Sequence, residues 1–222
     1  KHAGKPIIVA VNKMDREGRD SFDLLDEIEE KLKIKVRPMS WPIGIGATFK
    51  GVFNLYKNSL NLFSGNKTGI ETDVISIDGI DDNKLKEYIG EEDSAMLREE
   101  VELVNGVYDP FDINTYLSGD VAPVFFGSAL NNFGVQELLD GFTEISPTPR
   151  GRESDTRLVT PDEKKFSGFV FKIHANIDPK HRDRIAFLRI VSGVFKRNTF
   201  YQHIRLDKKF KFPNPTSFMA SS

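Results

Sequence analysis

The sequence predicts an α/β fold, a parallel sheet with flanking helices, followed by an all-β segment. Three observations carry this. Two unbroken apolar runs, Ile7-Ile8-Val9-Ala10-Val11 and Val121-Ala122-Pro123-Val124-Phe125-Phe126, read as strands buried on both faces, as parallel sheets require. Stretches between and after them carry apolar residues at helical spacing. From Phe166 onward the period changes to alternation, with Phe169, Phe171 and Ile173 on one face of a strand.

The elements follow in order. Residues 6–11 form the first strand. Residues 21–33 form a helix with Phe22, Leu25, Ile28 and Leu32 on one face and Asp20 or Ser21 as its cap. Residues 34–37 are a second strand. From Ile43 to Ile77 short alternating segments with Gly and Asn turns predict strands, including a hairpin in which Leu55-Tyr56 and Leu60-Asn61-Leu62 flank Lys57-Asn58-Ser59. This stretch is expected to be an insertion between a core strand and a helix. Residues 82–89 and 91–105 are helical, with Met96, Val101 and Val104 giving the second its apolar spacing. Phe111 to Leu117 is a short helix and 121–126 a strand. Helix 133–145 follows, with Val135, Leu138, Leu139 and Phe142 as its core stripe and Pro147 and Pro149 closing it. Residues 147–165 are rich in proline, glycine and charge and read as a linker. Ile185 to Val191, broken only by Arg189, is a further strand ended by Gly193. The expected partition is a first domain over 1–149, a linker over 150–165 and a β domain over 166–222.

Composition narrows the chemistry. A length of 222 residues allows one large or two modest domains, and 18 phenylalanines provide aromatic packing. The absence of cysteine excludes a disulfide framework and a thiolate metal site. The four histidines are scattered without metal-ligand spacing, and His174 reads as a packed or edge residue of a strand. No signal peptide or spanning segment is legible, so no membrane partner is expected and the cytoplasm is the expected location. The net charge of −2 hides an asymmetry. Residues 1–149 carry 15 Lys and Arg against 26 Asp and Glu, a balance of −11, whereas residues 150–222 carry 16 against 7, a balance of +9. A basic second half, with Lys164-Lys165, Lys180-His181-Arg182, Arg184, Lys208-Lys209 and Lys211, predicts contact with a polyanion such as nucleic acid, the alternative being a solvated charged surface.

The most specific motif is Asn12-Lys13-Met14-Asp15, directly after the first strand, where open α/β sheets place their ligands. Guanine presents two adjacent donors, N1–H and the 2-amino group. The carboxylate of Asp15 would accept both, a strong charge-assisted pair that adenine cannot supply. Asn12 would bond the other edge of the base and brace the neighbouring loop, and the stem of Lys13 would cover the ring face. The alternative is a helix-starting turn with Asp15 or Asn12 as a cap. After the second buried run, Gly127-Ser128-Ala129-Leu130 offers small residues that let the backbone approach a flat ligand, with the Ala129 N–H as candidate donor to guanine O6.

Other motifs fail. No Gly-x-x-x-x-Gly-Lys-[Ser/Thr] loop occurs, since Gly4-Lys5 precedes Pro6 and Lys67-Thr68 follows Asn66. Asp15-Arg16-Glu17-Gly18 fits a short Asp-x-x-Gly pattern, but Asp15 is already used by the base. Gly44-Ile45-Gly46 lacks the third glycine of a dinucleotide fingerprint. No nucleophile–base pair is legible, so no residue is assigned as catalytic and none as a metal ligand.

The stretch from Val11 to Lys33 resembles the base-recognition region of translational GTPases. Pro38-Met39-Ser40-Trp41-Pro42-Ile43-Gly44, Phe49-Lys50-Gly51-Val52, Val124 to Ala129, Phe166 to Ile173 and Asp178 to Phe187 extend the likeness to about Met219. Together they resemble the bacterial peptide chain release factor 3 family, with the elongation factor G family sharing the general plan. Ser40 to Gly44 and the Asp178 to Phe187 segment favour the former. The resemblance implies the C-terminal half of a P-loop GTPase domain followed by an incomplete translation-factor β-barrel. It implies GTP and GDP as ligands, with Asn12, Lys13, Asp15, Ser128, Ala129 and Leu130 making guanine-base contacts only. Mg²⁺ and the hydrolytic groups would belong to segments preceding this sequence in a longer parent, so the chain alone is expected to be inactive. The implied partners are the ribosome, through rRNA contacts of the basic half, and class-one release factors. The Asp178 to Arg184 loop would serve both as a turn and as a contact to rRNA or a switch region. Unpaired barrel edges would favour a dimer or strand exchange.

Overall fold

The elements of the first unit run as β1 (Val9–Val11), α1 (Ser21–Leu32), β2 (Lys35–Pro38), β3 (Ser40–Ile43), β4 (Gly51–Asn54), β5 (Ser59–Phe63), β6 (Thr72–Ser76), α2 (Lys84–Ile89), α3 (Glu91–Val107), α4 (Ile113–Ser118), β7 (Val121–Phe126) and α5 (Val135–Ile145). The second unit adds β8 (Arg152–Glu153), β9 (Leu158–Val159), β10 (Ser167–Ala175), β11 (Arg184–Ser192), β12 (Phe200–His203) and β13 (Lys208–Lys211). The structure is a computed structural model that describes residues 5–63, 72–175 and 184–215. The chain divides at Pro147–Thr148 into these two units.

In the first unit β1, β7 and β2 form a parallel sheet with β7 in the centre. Central β7 is the strand whose apolar run is longest, and its Ala122 to Phe126 are buried. α1 starts where the Asp20 carboxylate accepts the Phe22 N–H at 2.8 Å, and it ends at Lys33 in the left-handed region. α4 starts likewise, with Asp112 accepting from Asn114 and Thr115. Between β2 and β7 the chain inserts an antiparallel sheet in the order β3-β4-β5-β6, followed by α2, α3 and α4. The insertion is fastened where it leaves the main sheet. The Met39 N–H donates to Val124 O at 2.8 Å, and the buried Ser40 hydroxyl accepts the Phe126 N–H at 2.9 Å. Trp41 fills the junction. Its ring lies 4.7 Å from Phe22 and 5.5 Å from Phe126, and its indole N–H donates to Glu100 on α3 at 2.8 Å. Burial pushes the Glu100 carboxyl up, and the indole bond opposes this.

Several expectations change. β1 is shorter than 6–11 and is not buried on both faces: Ala10 is exposed and Val9 and Val11 are half-buried, because β1 lies at an edge of the three-stranded sheet. In the insertion, Leu55-Tyr56 belongs to the turn, and the hairpin strands are β4 and β5. On α3, Met96 points outward and Leu97 is buried with Val101 and Val104. On α5, Leu139 and Phe142 are exposed and the buried positions are Glu137, Gly141 and Ile145. Gly141 decides that face: a Cβ there would stand 2.5 Å from the Phe125 ring, so the helix approaches β7 through its glycine.

In the second unit, residues expected as linker carry the β8–β9 hairpin, where Arg157 pairs with Glu163 and holds that carboxyl down at about 2. β10 and β11 pair antiparallel, and Gly193 ends β11 at φ +64°. Phe169, Phe171 and Ile173 are exposed, and so is Val170 on the opposite face, so the alternation does not mark a buried side within this unit. β12 and β13 form a further hairpin that the sequence pattern did not predict. The Asp178 to Asp183 part of the loop, with Lys180-His181-Arg182, lies outside the described residues. Among the described residues no helix is long and apolar enough to cross a membrane.

Candidate guanine-recognition site

Parallel pairing of β1 with β7 in the register Val11↔Phe126 delivers two loops to the same sheet end, Asn12 to Asp15 and Gly127 to Phe133. The ladder continues beyond the strands. The Gly127 N–H donates to Val11 O at 2.9 Å, and the Met14 N–H donates to Gly127 O at 3.2 Å. Lys13 turns the chain at φ +73°, and Met14 is buried beneath it. Asn12 and Asp15 therefore flank a tight, anchored turn, closed by the Arg16 N–H donating to Lys13 O at 3.0 Å.

The side chain of Asn12 joins the loops. Its Oδ1 accepts the Lys13 N–H and the Ala129 N–H, each at 2.8 Å. The expected brace is therefore present in the geometry, and it changes one expectation: the Ala129 N–H, foreseen as donor to guanine O6, donates to Asn12. The second loop is closed on itself. Ser128 and Phe133 exchange both backbone bonds at 2.8 Å, and Asn132 adopts φ +54°. Ser128 is 1% exposed, and its hydroxyl accepts the Asn131 N–H at 3.4 Å, so its side chain supports the loop from inside. Ala129 and Leu130 form the exposed tip, Leu130 at 78%. Gly127 could not be larger, since a Cβ would stand 2.4 Å from Phe133 O.

Asp15 is half-buried, and its Oδ1 is buried with no hydrogen-bond partner. A buried carboxylate oxygen without a donor is costly and calls for one. No protein donor among the described residues claims Asp15 Oδ1, so the carboxylate is not spent as a helix cap; a base edge with two adjacent donors would satisfy it once it turns outward from its covered position. The sequence carries no phosphate-loop motif, so among these residues the fit is to the base and not to the phosphates. The sequence missed a third contributor. In the loop between β3 and β4, the Gly46 N–H donates to Met14 O at 2.9 Å, and Phe49 sets its ring edge-on to Phe133 at 5.2 Å. Only the two positive-φ glycines, Gly44 and Gly46, marked that loop as special.

Comparison with known proteins agrees with this architecture. Residues 1–148 match the family described as the Elongation factor Tu GTP binding domain, and residues 165–222 match Elongation factor G domain 2. The fold is similar to that in a crystal structure of a protein from Thermus thermophilus, with a TM-score of 0.59 and 19% sequence identity. That similarity covers 95% of this chain and 30% of the other, so the chain spans about a third of that relative's length. With two thirds of its length in the first family and most of the remainder in the second, the chain belongs to the translational GTPases.

Proposed function

We propose that this chain supplies the guanine-reading part of a GTP-binding translation factor, with Asp15 accepting N1–H and the 2-amino group. The observation that carries the reading is the Asn12-Lys13-Met14-Asp15 turn at the C-terminal end of β1, with the Asn12 side chain tying down the neighbouring Ser128 to Leu130 loop. Lys13 covers the ring face, and Ala129 and Leu130 form the opposite wall, supported from inside by Ser128. With the Ala129 N–H on Asn12, the Leu130 N–H, which meets no protein acceptor among the described residues, is the donor to O6. Bound GTP would bring Mg²⁺ and the phosphoryl chemistry. This chain's own residues bind and orient the base, and hydrolysis belongs to groups outside it. Calorimetry with GDP on wild type and Asp15→Ala tests the reading; equal heats contradict it.

We further propose that the parent acts in termination, as in the release factor 3 family, binding the ribosome and promoting departure of class-one release factors. The wording of Ser40 to Gly44 supports this, whereas the match of residues 165–222 to Elongation factor G domain 2 supports an elongation role. Displacement of a class-one factor from terminated ribosomes, against tRNA translocation, separates the two. Exposed Lys208, Lys209 and Lys211 on β13 and Lys164-Lys165 support contact with rRNA. Its affinity should fall steeply with salt, and a flat salt response in filter binding contradicts it. The exposed apolar residues of β10 and β11 support a dimer or strand exchange of the isolated chain. Light scattering should show mass rising with concentration; a constant monomer mass contradicts this.

A further inference from the structure

The β3–β4 loop, residues 44–50, has no assigned role, yet it touches both walls of the site. It is stiff by construction. The Lys50 N–H donates to Ile43 O at 2.8 Å and closes its base. The Thr48 hydroxyl donates to Ile45 O at 2.9 Å, within a 3₁₀ turn over Gly46–Thr48. Gly44 stands at φ +75°, where a Cβ would come 2.3 Å from Thr48 O. A loop this constrained transmits displacement rather than absorbing it.

Its two contacts fall on the parts that matter. Met14 O belongs to the same peptide plane as the Asp15 N–H, so the bond from Gly46 sets the plane from which the Asp15 side chain departs. Met14 is thereby held from both sides, its N–H by Gly127 and its C=O by Gly46. On the other wall, Phe49 packs against Phe133, the residue that closes the Ser128 to Phe133 loop. A side chain at Gly46 is strained by its backbone conformation and must displace the exposed Glu17 carboxylate. At φ +61° a Cβ would meet Glu17 Oε1 at 2.4 Å and the Glu17 backbone N at 3.1 Å.

We infer that the β3–β4 loop, through Gly46 and Phe49, is a positioning element that sets how selectively Asp15 reads the 2-amino group of guanine. The inference rests on the guanine reading above. It makes the inserted sheet part of the nucleotide site, because any shift of β3 against β4 reaches both walls. Misplacement of a positioned group by about 1 Å is enough to lose much of its effect.

The test compares GDP with inosine diphosphate, which lacks only the 2-amino donor, by competition against a fluorescent guanine nucleotide. The full-length protein carrying this sequence is used. Wild type should prefer GDP, and Asp15→Ala should lose that preference. Gly46→Ala and the milder Phe49→Leu should lower the GDP-to-inosine-diphosphate affinity ratio by about tenfold and a few-fold respectively. Partial unfolding removes both ligands equally and leaves the ratio untouched, so the ratio reports positioning alone. A wild type indifferent to the 2-amino group overturns the guanine reading. A preference that wild type shows and both variants retain in full overturns the positioning role of this loop and leaves that reading standing.

Discussion

Replacing Asp15 with alanine is expected to cut GDP affinity by about 10²- to 10⁴-fold while leaving the fold intact. The magnitude follows from two hydrogen bonds to a charged acceptor, each contributing about 1.5–3 kcal/mol, at about 1.4 kcal/mol per tenfold. Stability should hardly fall, because the Asp15 Oδ1 bonds to nothing in the protein and its removal strands no donor. The pairing of large binding loss with unchanged unfolding temperature separates recognition from a capping role. A cap would lose about 1 kcal/mol of stability instead. Titration of wild type and variant with GDP, together with thermal unfolding of each, checks both halves.

The second large effect lies at the interface of the inserted sheet with α5. Asn61 on β5 is 2% exposed and Glu137 on α5 is 6% exposed, and the Asn61 amide donates to Glu137 Oε1. Asn61 Oδ1 and Glu137 Oε2 are both buried without a partner. A protonated Glu137 would supply the donor that Asn61 Oδ1 lacks, while its Oε1 goes on accepting from the amide. Burial pushes this carboxyl above its ordinary 4.5 and Asp140 adds to the rise, while a backbone bond in its own helical turn opposes them. The sign follows. A group whose folded value is raised stabilises fully below its unfolded value, and that contribution is lost as pH rises through the folded value. Glu137→Gln keeps the neutral pairing at every pH. It should therefore match wild type near pH 4 and exceed it by about 1–3 kcal/mol at pH 8, a gain of several degrees in Tm. Urea unfolding at the two pH values checks this; a variant less stable than wild type at pH 8 contradicts it.

How much of this was legible in the sequence depended on burial. β7 is read to the residue, because Val121 to Phe126 is apolar without interruption and lies in the middle of its sheet. α1 is read within one residue, because Asp20 and the spacing of Leu25 and Ile28 agree. The differences share a cause: apolar character does not by itself give inward direction. On α5 the small Gly141, not the large Leu139 or Phe142, faces the sheet, since close approach to Phe125 required the absence of a side chain. On α3 the stripe runs one residue later than Met96. β12 and β13 escaped notice because Phe200 to His203 and Lys208 to Lys211 are mostly exposed and give no alternating pattern. At the site, the motif points to Asn12 and Asp15, but the approach of the β3–β4 loop to Met14 is invisible in it. The Gly46–Met14 bond joins residues more than thirty positions apart through backbone atoms, and backbone contacts leave no mark on composition.

If the Asp15 carboxylate reads two donors on the base, a substitution that rewrites the donor pattern tests it most directly. Asparagine keeps one acceptor and offers one donor. Xanthine keeps N1–H but presents a carbonyl where guanine has its amino group, so the two match. Binding of GDP and xanthosine diphosphate should therefore be measured on wild-type full-length protein and on Asp15→Asn. A preference for GDP that reverses toward xanthosine diphosphate in the variant is the predicted result. A variant that still prefers GDP to the same degree contradicts the assignment of position 15 to the base.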